Sequence, residues 1–256
     1  MITLAIANQK GGTGKTTTAA TLGAILATEN RRVLLVDLDP QSSLTQGLGI
    51  DAAGASLAEV IGGAVRGHMA MSEIIRPISS GLDLAPSDLA LAAAELGLSQ
   101  RIGRESVLTK ALALLTGYDL AIIDCPPSLG LLTLNGLTAS AGVIVPSLPS
   151  AADLRGVRLF LGTLETMQAE GLNPDLQLLG VILTQFDGRT LAHNQALDVL
   201  RAGGLQVIGI IPRGVKVQEA GAAMQTLIDY DPQGKPTAAY YQAAESVMKW
   251  LNKNRT

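Results

Sequence analysis

Short apolar segments alternate with longer amphipathic segments along most of the chain. The apolar segments have the length of buried strands, and the longer segments place apolar residues at helical spacing. The predicted strands are Ile2–Ala7, Val33–Asp37, Leu82–Ala85, Leu120–Asp124, Val143–Pro146, Leu178–Thr184 and Val207–Ile211. The predicted helices are Lys15–Thr28, Leu89–Leu96, Arg104–Leu115, Leu129–Ala139, Asp153–Glu170, Leu191–Ala202 and Thr237–Asn252. This alternation predicts a doubly wound α/β fold, in which helices cover both faces of a mostly parallel sheet.

Composition agrees with one large α/β domain. The chain has 256 residues, of which 47% are hydrophobic, and can bury a sizeable core. Because only 3% of the residues are aromatic, the core is predicted to be aliphatic. The sequence contains no internal repeat, low-complexity tract or linker, so we predict a single domain over residues 1–256.

Targeting signals and cysteine content bear on the compartment. No apolar run approaches the ~20 residues of a membrane span, and no basic region precedes an apolar stretch as in a signal peptide. We therefore expect a cytoplasmic protein without integral membrane association. Cys125 is the only cysteine, which excludes an internal disulfide and a multi-cysteine metal site within one chain. It is predicted to fill a small buried space beside Asp124.

The segment Gln9–Thr17 lies between the first predicted strand and the first predicted helix. A strand, a glycine-rich turn and a helix in this order wrap phosphate oxygens, because glycines admit backbone N–H groups and the helix N-terminus is positive. Lys15 is expected to reach the β- and γ-phosphates of a nucleotide, and the Thr16 hydroxyl to bind Mg²⁺. The segment departs from the common pattern G-x-x-x-x-G-K-[ST], because Gln9 replaces the first glycine and Lys10 follows it.

Two further predicted strands end in carboxylates. Asp37 and Asp39 stand two positions apart at the end of the second strand, where Pro40 is expected to turn the chain. Asp124 ends the strand that begins at Leu120. A lone carboxylate at a strand end often caps a turn, whereas beside a phosphate loop it typically supports Mg²⁺. The loop therefore favours a nucleotide and Mg²⁺ site.

These motifs resemble those of the deviant Walker ATPases of the ParA/MinD group. The resemblance rests on Lys10–Thr17, Asp37–Gln41, Asp124–Ser128, Leu131–Asn135, Thr184–Asp187 and Ile211–Arg213. The last three segments narrow it to the small, Soj-like ParA partition ATPases. It covers nearly the whole chain and implies a P-loop NTPase fold with ATP and Mg²⁺ as cofactors.

The resemblance also implies an ATP-dependent homodimer with two ATP molecules between its subunits. Lys10 would then cross the interface to the partner's ATP, and Asp39 would orient the attacking water. Asp37 and Asp124 would support Mg²⁺ and the two segments that respond to the γ-phosphate. The catalytic candidates are Lys10, Lys15 and Asp39, and the metal candidates are Thr16, Asp37 and Asp124. The ATP-binding candidates are Lys10, Gly11, Gly12, Thr13, Gly14, Lys15, Thr16, Thr17, Gln185 and Pro212.

Charge is distributed unevenly, which bears on DNA as a partner. The net charge of −3 argues against DNA binding, but Gln185–Thr256 carries eight Lys and Arg against six Asp and Glu. A modest basic patch on a dimer can hold nonspecific DNA through its phosphates. Arg189 and Lys216 align with positions where relatives carry DNA-contacting arginines. Arg213 is the third DNA candidate, with the base pocket or the dimer as its alternative role. For all three, an ordinary solvated charge is the competing interpretation.

The loop after the fifth predicted strand departs from the family pattern. Relatives carry a Gln, then a Glu and an aromatic residue where this chain has Leu148, Ser150 and Ala151. A partner or dimer contact that the family makes here is therefore in doubt, whereas the phosphate chemistry is unaffected. The terminal helix has Tyr240 and Val247 on one apolar face, which predicts docking on the core, with a lipid-bound helix as the alternative.

Three functions fit these observations. The first is a nucleoid-associated partition ATPase, whose slow hydrolysis is stimulated by a ParB-like or cargo-adaptor protein. The second is a MinD-like ATPase at the membrane surface. The third is a biosynthetic ligase or amidotransferase synthetase of the same fold, although such enzymes generally lack a lysine at position 10. The sequence leaves the cargo open between a chromosome, a plasmid and a protein compartment.

Overall fold

A computed structural model describes residues 1–52, 55–62 and 69–254. Within these ranges the strands are β1 Ile2–Ile6, β2 Val33–Asp37, β3 Arg76–Ser79, β4 Leu82–Ala85, β5 Leu120–Asp124, β6 Gly142–Ser147, β7 Gln177–Phe186 and β8 Val207–Pro212. The first six helices are α1 Lys15–Thr28, α2 Ser43–Gly47, α3 Leu57–Gly62, α4 Met71–Ile74, α5 Ala90–Leu98 and α6 Val107–Ala113. They are followed by α7 Leu131–Thr138, α8 Ala151–Ala169, α9 Leu191–Ala202, α10 Val215–Ala222, α11 Leu227–Tyr230 and α12 Lys235–Lys253.

The described strands form one sheet in the order β3-β4-β2-β5-β1-β6-β7-β8. Among the described pairings, β3 with β4 is antiparallel and the others are parallel. Because β1 lies between β5 and β6, the loop that leaves β1 opens near the middle of the sheet. The predicted α/β fold with a mostly parallel sheet is confirmed.

Helices pack on both faces of the sheet. Successive apolar side chains of β2 point to opposite faces, so both faces need to be covered. Leu34 and Val36 face a core built with α3 and α5 to α9, whereas Val33 and Leu35 face a second core with α1 and α12. Both cores are largely aliphatic, and full burial of each Leu or Val side chain contributes about 1.5–3 kcal/mol. The low aromatic content therefore led to the correct prediction of core chemistry.

All seven predicted strands and all seven predicted helices are present, with ends that differ by a few residues. The predicted helix Arg104–Leu115 is a 3₁₀ turn, Arg104–Ser106, followed by α6. The prediction missed β3 and the short helices α2, α3, α4, α10 and α11. These short elements span too few residues to develop a helical or alternating pattern, because each has one or two turns or four strand residues.

The terminal helix α12 is docked on the core, as predicted. Tyr240, Val247 and Leu251 are buried against the core that contains α1 and β8. Polar contacts fix its far end, because Trp250 Nε1 donates to Gln177 Oε1 at 2.8 Å. Over the described part of the chain, no helix has the length and apolar character that crossing a bilayer requires.

Parallel strands give the sheet two chemically distinct ends. At the carboxyl end, Ile6, Asp37 and Asp124 stand level, since Asp124 is in register with both other residues. At the amino end, Val33 is level with Leu82 and Leu120. The candidate site residues in the loops after β1, β2, β5, β7 and β8 therefore gather at the carboxyl end, where α/β sheets bind ligands.

Cys125 follows Asp124 and is fully buried. Its Sγ lies 2.9 Å from where a β-carbon on Gly136 would stand, so α7 packs closely on the thiol. Burial is the main cause that raises the pKa of this thiol far above its ordinary value, and the neighbouring Asp124 adds to the shift. The prediction that Cys125 fills a small buried space beside Asp124 is confirmed.

Candidate nucleotide site

The glycine-rich loop joins β1 to α1 in the conformation that phosphate binding needs. Gly12 and Gly14 have φ angles of 73° and 88°, which side-chain-bearing residues rarely adopt. The methyl group of Thr184 lies 3.3 Å from where a β-carbon on Gly14 would stand. Gly14 is the N-cap of α1 and provides no side-chain cap, so the first N–H groups of this helix are available to an anion.

Lys15 is a buried cation at the start of α1. Its Nζ donates to the carbonyl oxygen of Lys10 at 2.9 Å, which folds the side chain back over the loop. Burial lowers its pKa, although Asp124 opposes that shift electrostatically. Phosphate oxygens would offer this ammonium a charged acceptor in place of the neutral carbonyl.

Asp124 is the buried group that most clearly requires a ligand. It is 1% exposed, and neither carboxylate oxygen has a hydrogen-bond partner among the described residues. Burial and then the nearby Asp37 raise its pKa well above the ordinary value, while Thr16 and Lys15 act in the opposite direction. Unpaired carboxylate oxygens beside a threonine hydroxyl are a donor set that suits Mg²⁺.

The protein's own ligands for such an ion are few. No group of three or more His, Cys, Asp or Glu side chains that could hold a metal ion occurs in the described ranges. Asp124 and Thr16 would therefore need phosphate and water oxygens to complete a magnesium shell. This donor set fits an ion that arrives with a nucleotide.

Asp37 accepts three hydrogen bonds from the segment that follows β2. Its Oδ1 accepts from the Asp39 N–H at 3.2 Å, and its Oδ2 accepts from the Thr45 N–H at 2.8 Å and the Thr45 hydroxyl at 2.6 Å. Burial raises its pKa to about 6, although the Thr45 bonds lower it. Both oxygens are thus engaged in holding the loop after β2 to α2, and direct binding of magnesium by Asp37 stays a prediction that this geometry does not favour.

Asp39 lies beyond the strand on the wall of the site cavity, where the sequence predicted it. Its Oδ1 accepts from the Gln41 N–H at 3.0 Å, and its carbonyl oxygen accepts from the Ser87 hydroxyl at 2.8 Å. Ser42, with a φ of 51°, then starts α2 in a backbone conformation that is unusual for serine. These contacts fix the turn and leave the Asp39 carboxylate half-buried at the cavity.

A cavity of about 680 Å³ opens beside the loop, which is ample room for a nucleotide. The predicted residues Gln185, Pro212 and Arg213 line it together with Gly11, Gly12, Gly14, Lys15, Thr16 and Thr17. Gln185 has a φ of 53°, and its Nε2 donates to the Gly12 carbonyl oxygen at 3.4 Å. Thr13 is fully buried within the loop, and its own carbonyl accepts a hydrogen bond from Thr184 at 2.8 Å.

Lys10 stands outside this cavity lining and contacts its own subunit. Its Nζ lies 2.8 Å from Asp153 Oδ1, although the approach is that of an ion pair rather than a directed hydrogen bond. The Lys10 side chain is 47% exposed, whereas the Asp153 side chain is 2% exposed. Sequence reasoning missed Asp153, and the Ser150 to Asp153 spacing signals only a helix start.

The three DNA candidates lie in the loops after β7 and β8. Arg189 makes a two-pronged ion pair with Asp187 and, as the main cause, lowers the pKa of that carboxyl to about 2. Lys216 Nζ lies 3.0 Å from Asp231 Oδ1. Arg213 lines the nucleotide cavity. Two of the three cations are therefore partly neutralised, and DNA contact by any of them stays a prediction.

Asn8 and Tyr240 are among the residues of the site that were not predicted. Asn8 is buried, donates to the Pro146 carbonyl oxygen at 2.7 Å and accepts from the Lys10 N–H at 3.1 Å. Tyr240, from the terminal helix, lines the cavity and lies 3.1 Å from the Thr18 hydroxyl. Both act through long-range contacts that no local sequence pattern encodes.

Comparison with known proteins gives concordant matches. A family model described as an AAA domain matches residues 1–178. The sporulation initiation inhibitor protein Soj of Bacillus subtilis is 40% identical over 248 residues, which are 95% of this chain and 97% of that protein. The chromosome-partitioning ATPase Soj of Thermus thermophilus is 42% identical over 96% of this chain and 94% of its own length.

A solved structure extends the match to the whole fold. It is described as cobyrinic acid a,c-diamide synthase from Mycobacterium smegmatis with bound ADP and magnesium. It is 42% identical, superposes with a TM-score of 0.85, and the match covers 100% of this chain and 97% of that one.

Proposed function

The chain belongs to the Soj/ParA family of chromosome-partitioning ATPases, and from that premise we propose that it is an ATP-driven positioning switch. ATP and Mg²⁺ are its cofactors. In the ATP form, two subunits pair and hold nonspecific DNA, and hydrolysis releases them. A ParB-like or cargo-adaptor protein stimulates this slow hydrolysis and is thereby drawn along the DNA-bound ATPase.

The observation that carries the proposal is the buried Asp124 beside the phosphate loop, whose carboxylate oxygens have no hydrogen-bond partner among the residues that the structure describes. A buried carboxylate without a partner is costly, and a cation that arrives with phosphate removes that cost. Thr16 and Lys15 line a cavity of about 680 Å³, where phosphates would meet the N-terminus of α1, and the buried Asp124 carboxylate lies close enough to interact with both residues. When bound there, Mg²⁺ supplies charge that offsets the negative phosphate oxygens in the transition state.

The protein's own residues would have distinct roles in ATP binding and hydrolysis. Lys15 would leave the Lys10 carbonyl and donate to the β- and γ-phosphate oxygens. Asp39 would accept a hydrogen bond from the attacking water and orient it. Lys10 would act on the ATP of the partner subunit, as a cation that neutralises developing charge. Gly11 would let the two loops approach each other.

A MinD-like role at the membrane surface is less favoured, because the apolar face of the terminal helix already packs on the protein core. Its apolar residues pack on the core, with Tyr240 1% and Leu251 1% exposed. A lipid-bound helix needs its apolar face free. Release of α12 to a membrane would remove several large side chains from the core that this helix shares with α1 and β8.

A synthetase role is favoured by the likeness to the Mycobacterium smegmatis protein and by the shared nucleotide fold. An amidotransferase that takes ammonia from glutamine through a cysteine nucleophile needs an accessible, readily ionised thiol. The only cysteine, Cys125, is buried and has a raised pKa. The partition role is therefore our main proposal.

The test is binding of the parent, Asp39→Ala and Lys10→Ala to random-sequence DNA and to anionic vesicles, with ATP or ADP, over a salt series. We expect binding to DNA that requires ATP, weakens with salt and is strongest for Asp39→Ala, because that variant should retain its ATP. Lys10→Ala is expected to lose DNA binding along with the dimer.

Matched controls are Asp175→Ala and Lys249→Ala, which remove exposed charges away from the site. Vesicle binding without DNA binding would replace the proposal by a membrane role. ATP turnover that depends on glutamine and cobyrinic acid, with no response to DNA, would replace it by the synthetase role.

A further inference from the structure

We propose that Asp153 is a positioning residue that holds the Lys10 ammonium on its own subunit and so restrains ATP-dependent pairing of two subunits. The inference rests on the proposed function, because it gives Lys10 a task on the partner subunit. Asp153 itself touches neither the nucleotide cavity nor the reacting atoms.

The ion pair joins a half-exposed cation to a buried anion. Lys10 Nζ lies 2.8 Å from Asp153 Oδ1, with the lysine side chain 47% exposed and the aspartate side chain 2% exposed. Among the described residues, Asp153 Oδ1 has no hydrogen-bond partner, so this ammonium is its main compensation. If Lys10 turns towards a second subunit, a buried carboxylate oxygen is left without its cation.

The start of α8 keeps the carboxylate in place. Ser150 is the N-cap of this helix, and its Oγ accepts from the Asp153 N–H at 3.1 Å. The Ser150 hydroxyl also donates to Asp153 Oδ2, which leaves Oδ1 directed at Lys10. An acidic group in the first turn of a helix is further stabilised by the helix dipole. The anion therefore stays, and the lysine is the partner that can move.

The backbone of Lys10 links this pair to phosphate binding. Its N–H donates to Asn8 Oδ1 at 3.1 Å, and its carbonyl accepts from Lys15 Nζ at 2.9 Å. When phosphate oxygens attract the Lys15 ammonium, the Lys10 carbonyl loses that partner. Nucleotide binding thus removes one contact of Lys10, the residue whose side chain must also leave Asp153. We therefore expect nucleotide to bind before the ion pair between Lys10 and Asp153 breaks.

The first experiment measures subunit pairing of Asp153→Asn by sedimentation velocity, with Mg²⁺ and the ATP analogue AMPPNP. Asparagine keeps the size of the side chain and its acceptor for Ser150 but removes the charge that holds Lys10. We expect the dimer dissociation constant to fall about three- to tenfold, the range of a partly exposed ion pair. Asp153→Glu, which keeps the charge, should stay closer to the parent.

The Lys10→Ala variant, measured beside Asp153→Asn, separates this inference from the proposed function. If Lys10→Ala pairs and turns over ATP like the parent, the task given to Lys10 is wrong and both proposals fall. If Lys10→Ala disables pairing while Asp153→Asn matches the parent, only the role of Asp153 is overturned.

A second readout is independent of pairing and of ATPase activity. Without nucleotide, amine-reactive labelling of Lys10, followed by peptide mass spectrometry, reports how freely its ammonium is available. We expect faster labelling of Lys10 in Asp153→Asn, with the exposed Lys249 unchanged as the internal reference. An unchanged Lys10 rate in a variant that melts like the parent contradicts the proposal.

Discussion

The two ends of the same sheet treat charge in opposite ways. At the amino end, Arg32, Asp83 and Tyr118 satisfy one another: the Tyr118 hydroxyl donates to Asp83 at 2.7 Å, and the Arg32 guanidinium lies 5.0 Å from the Tyr118 ring centre. At the carboxyl end, Asp124 is buried, and neither of its oxygens has a hydrogen-bond partner within the described part of the chain. The paired charges at the amino end stabilise the fold. The buried carboxylate at the carboxyl end destabilises it, and this end can therefore bind phosphate together with a cation.

The largest expected effect comes from Asp124→Asn. Magnesium-dependent ATP hydrolysis should fall by about 100-fold or more, because the charge that meets the ion is gone. Stability without nucleotide should rise by about 1 kcal/mol, because a buried unpaired charge is removed. Steady-state turnover and urea unfolding at neutral pH measure the two effects. A variant that loses stability and keeps its turnover would show that Asp124 is a structural residue.

Thr184→Val tests a polar contact at the same end. The Thr184 hydroxyl donates to the Thr13 carbonyl at 2.8 Å and thereby holds the phosphate loop to β7. Loss of this bond costs about 1–1.5 kcal/mol, so KM for ATP should rise about tenfold. Thr184→Ser keeps the hydroxyl and is the matched control. A KM near that of the parent for Thr184→Val together with a raised KM for Thr184→Ser would mean that the methyl group, rather than the hydrogen bond, shapes the loop.

Asp83→Asn tests the amino end, where the opposite outcome is expected. The pairing with Arg32 is loose at 3.5 Å, and the arginine side chain is 60% exposed, so the free energy of unfolding should fall by only about 0.5–1 kcal/mol. ATP binding and hydrolysis should not change, because this end lies a full strand length from the loop. A clear loss of ATPase activity would abolish the distinction between the two ends.

The smallest effect concerns alkaline stability. Burial, together with the hydrogen bond to Asp83, raises the pKa of Tyr118 to about 12 from an ordinary value near 10. As pH rises above 10, the unfolded chain loses this proton first, so stability is lost with increasing pH. Thermal melting from pH 9 to 11 should therefore decline less steeply for Tyr118→Phe than for the parent. Parallel declines in the two proteins would count against the shift.

Local sequence patterns were sufficient to predict the parallel strands of the sheet, the phosphate loop and the placement of Asp39 on the cavity wall. Each of these depends on residues that are close in sequence, such as a strand followed by glycines and a lysine. The edge strand β3 was missed because its four residues alternate between half-buried and exposed without a strong apolar signal.

The contacts of site side chains with distant residues were not predictable in the same way. Asp37, a metal candidate, also accepts hydrogen bonds from Thr45, because the turn after β2 brings α2 back over the strand tip. Asp153 is far from Lys10 in sequence, and only the order of β1 and β6 in the sheet brings their loops together. The hydrogen-bond partner of a carboxylate at a strand end depends on which later segment of the chain packs beside it.

The burial of Cys125 has a practical consequence for watching this molecule at work. With the single native thiol enclosed and hard to ionise, a cysteine introduced at an exposed position such as Leu159 would take a fluorescent probe alone. Because the native Cys125 thiol is buried, a reagent can reach it when the segment after Asp124 opens. The rate at which Cys125 is modified would therefore report how often this segment opens, and a ligand that holds the segment closed would lower that rate.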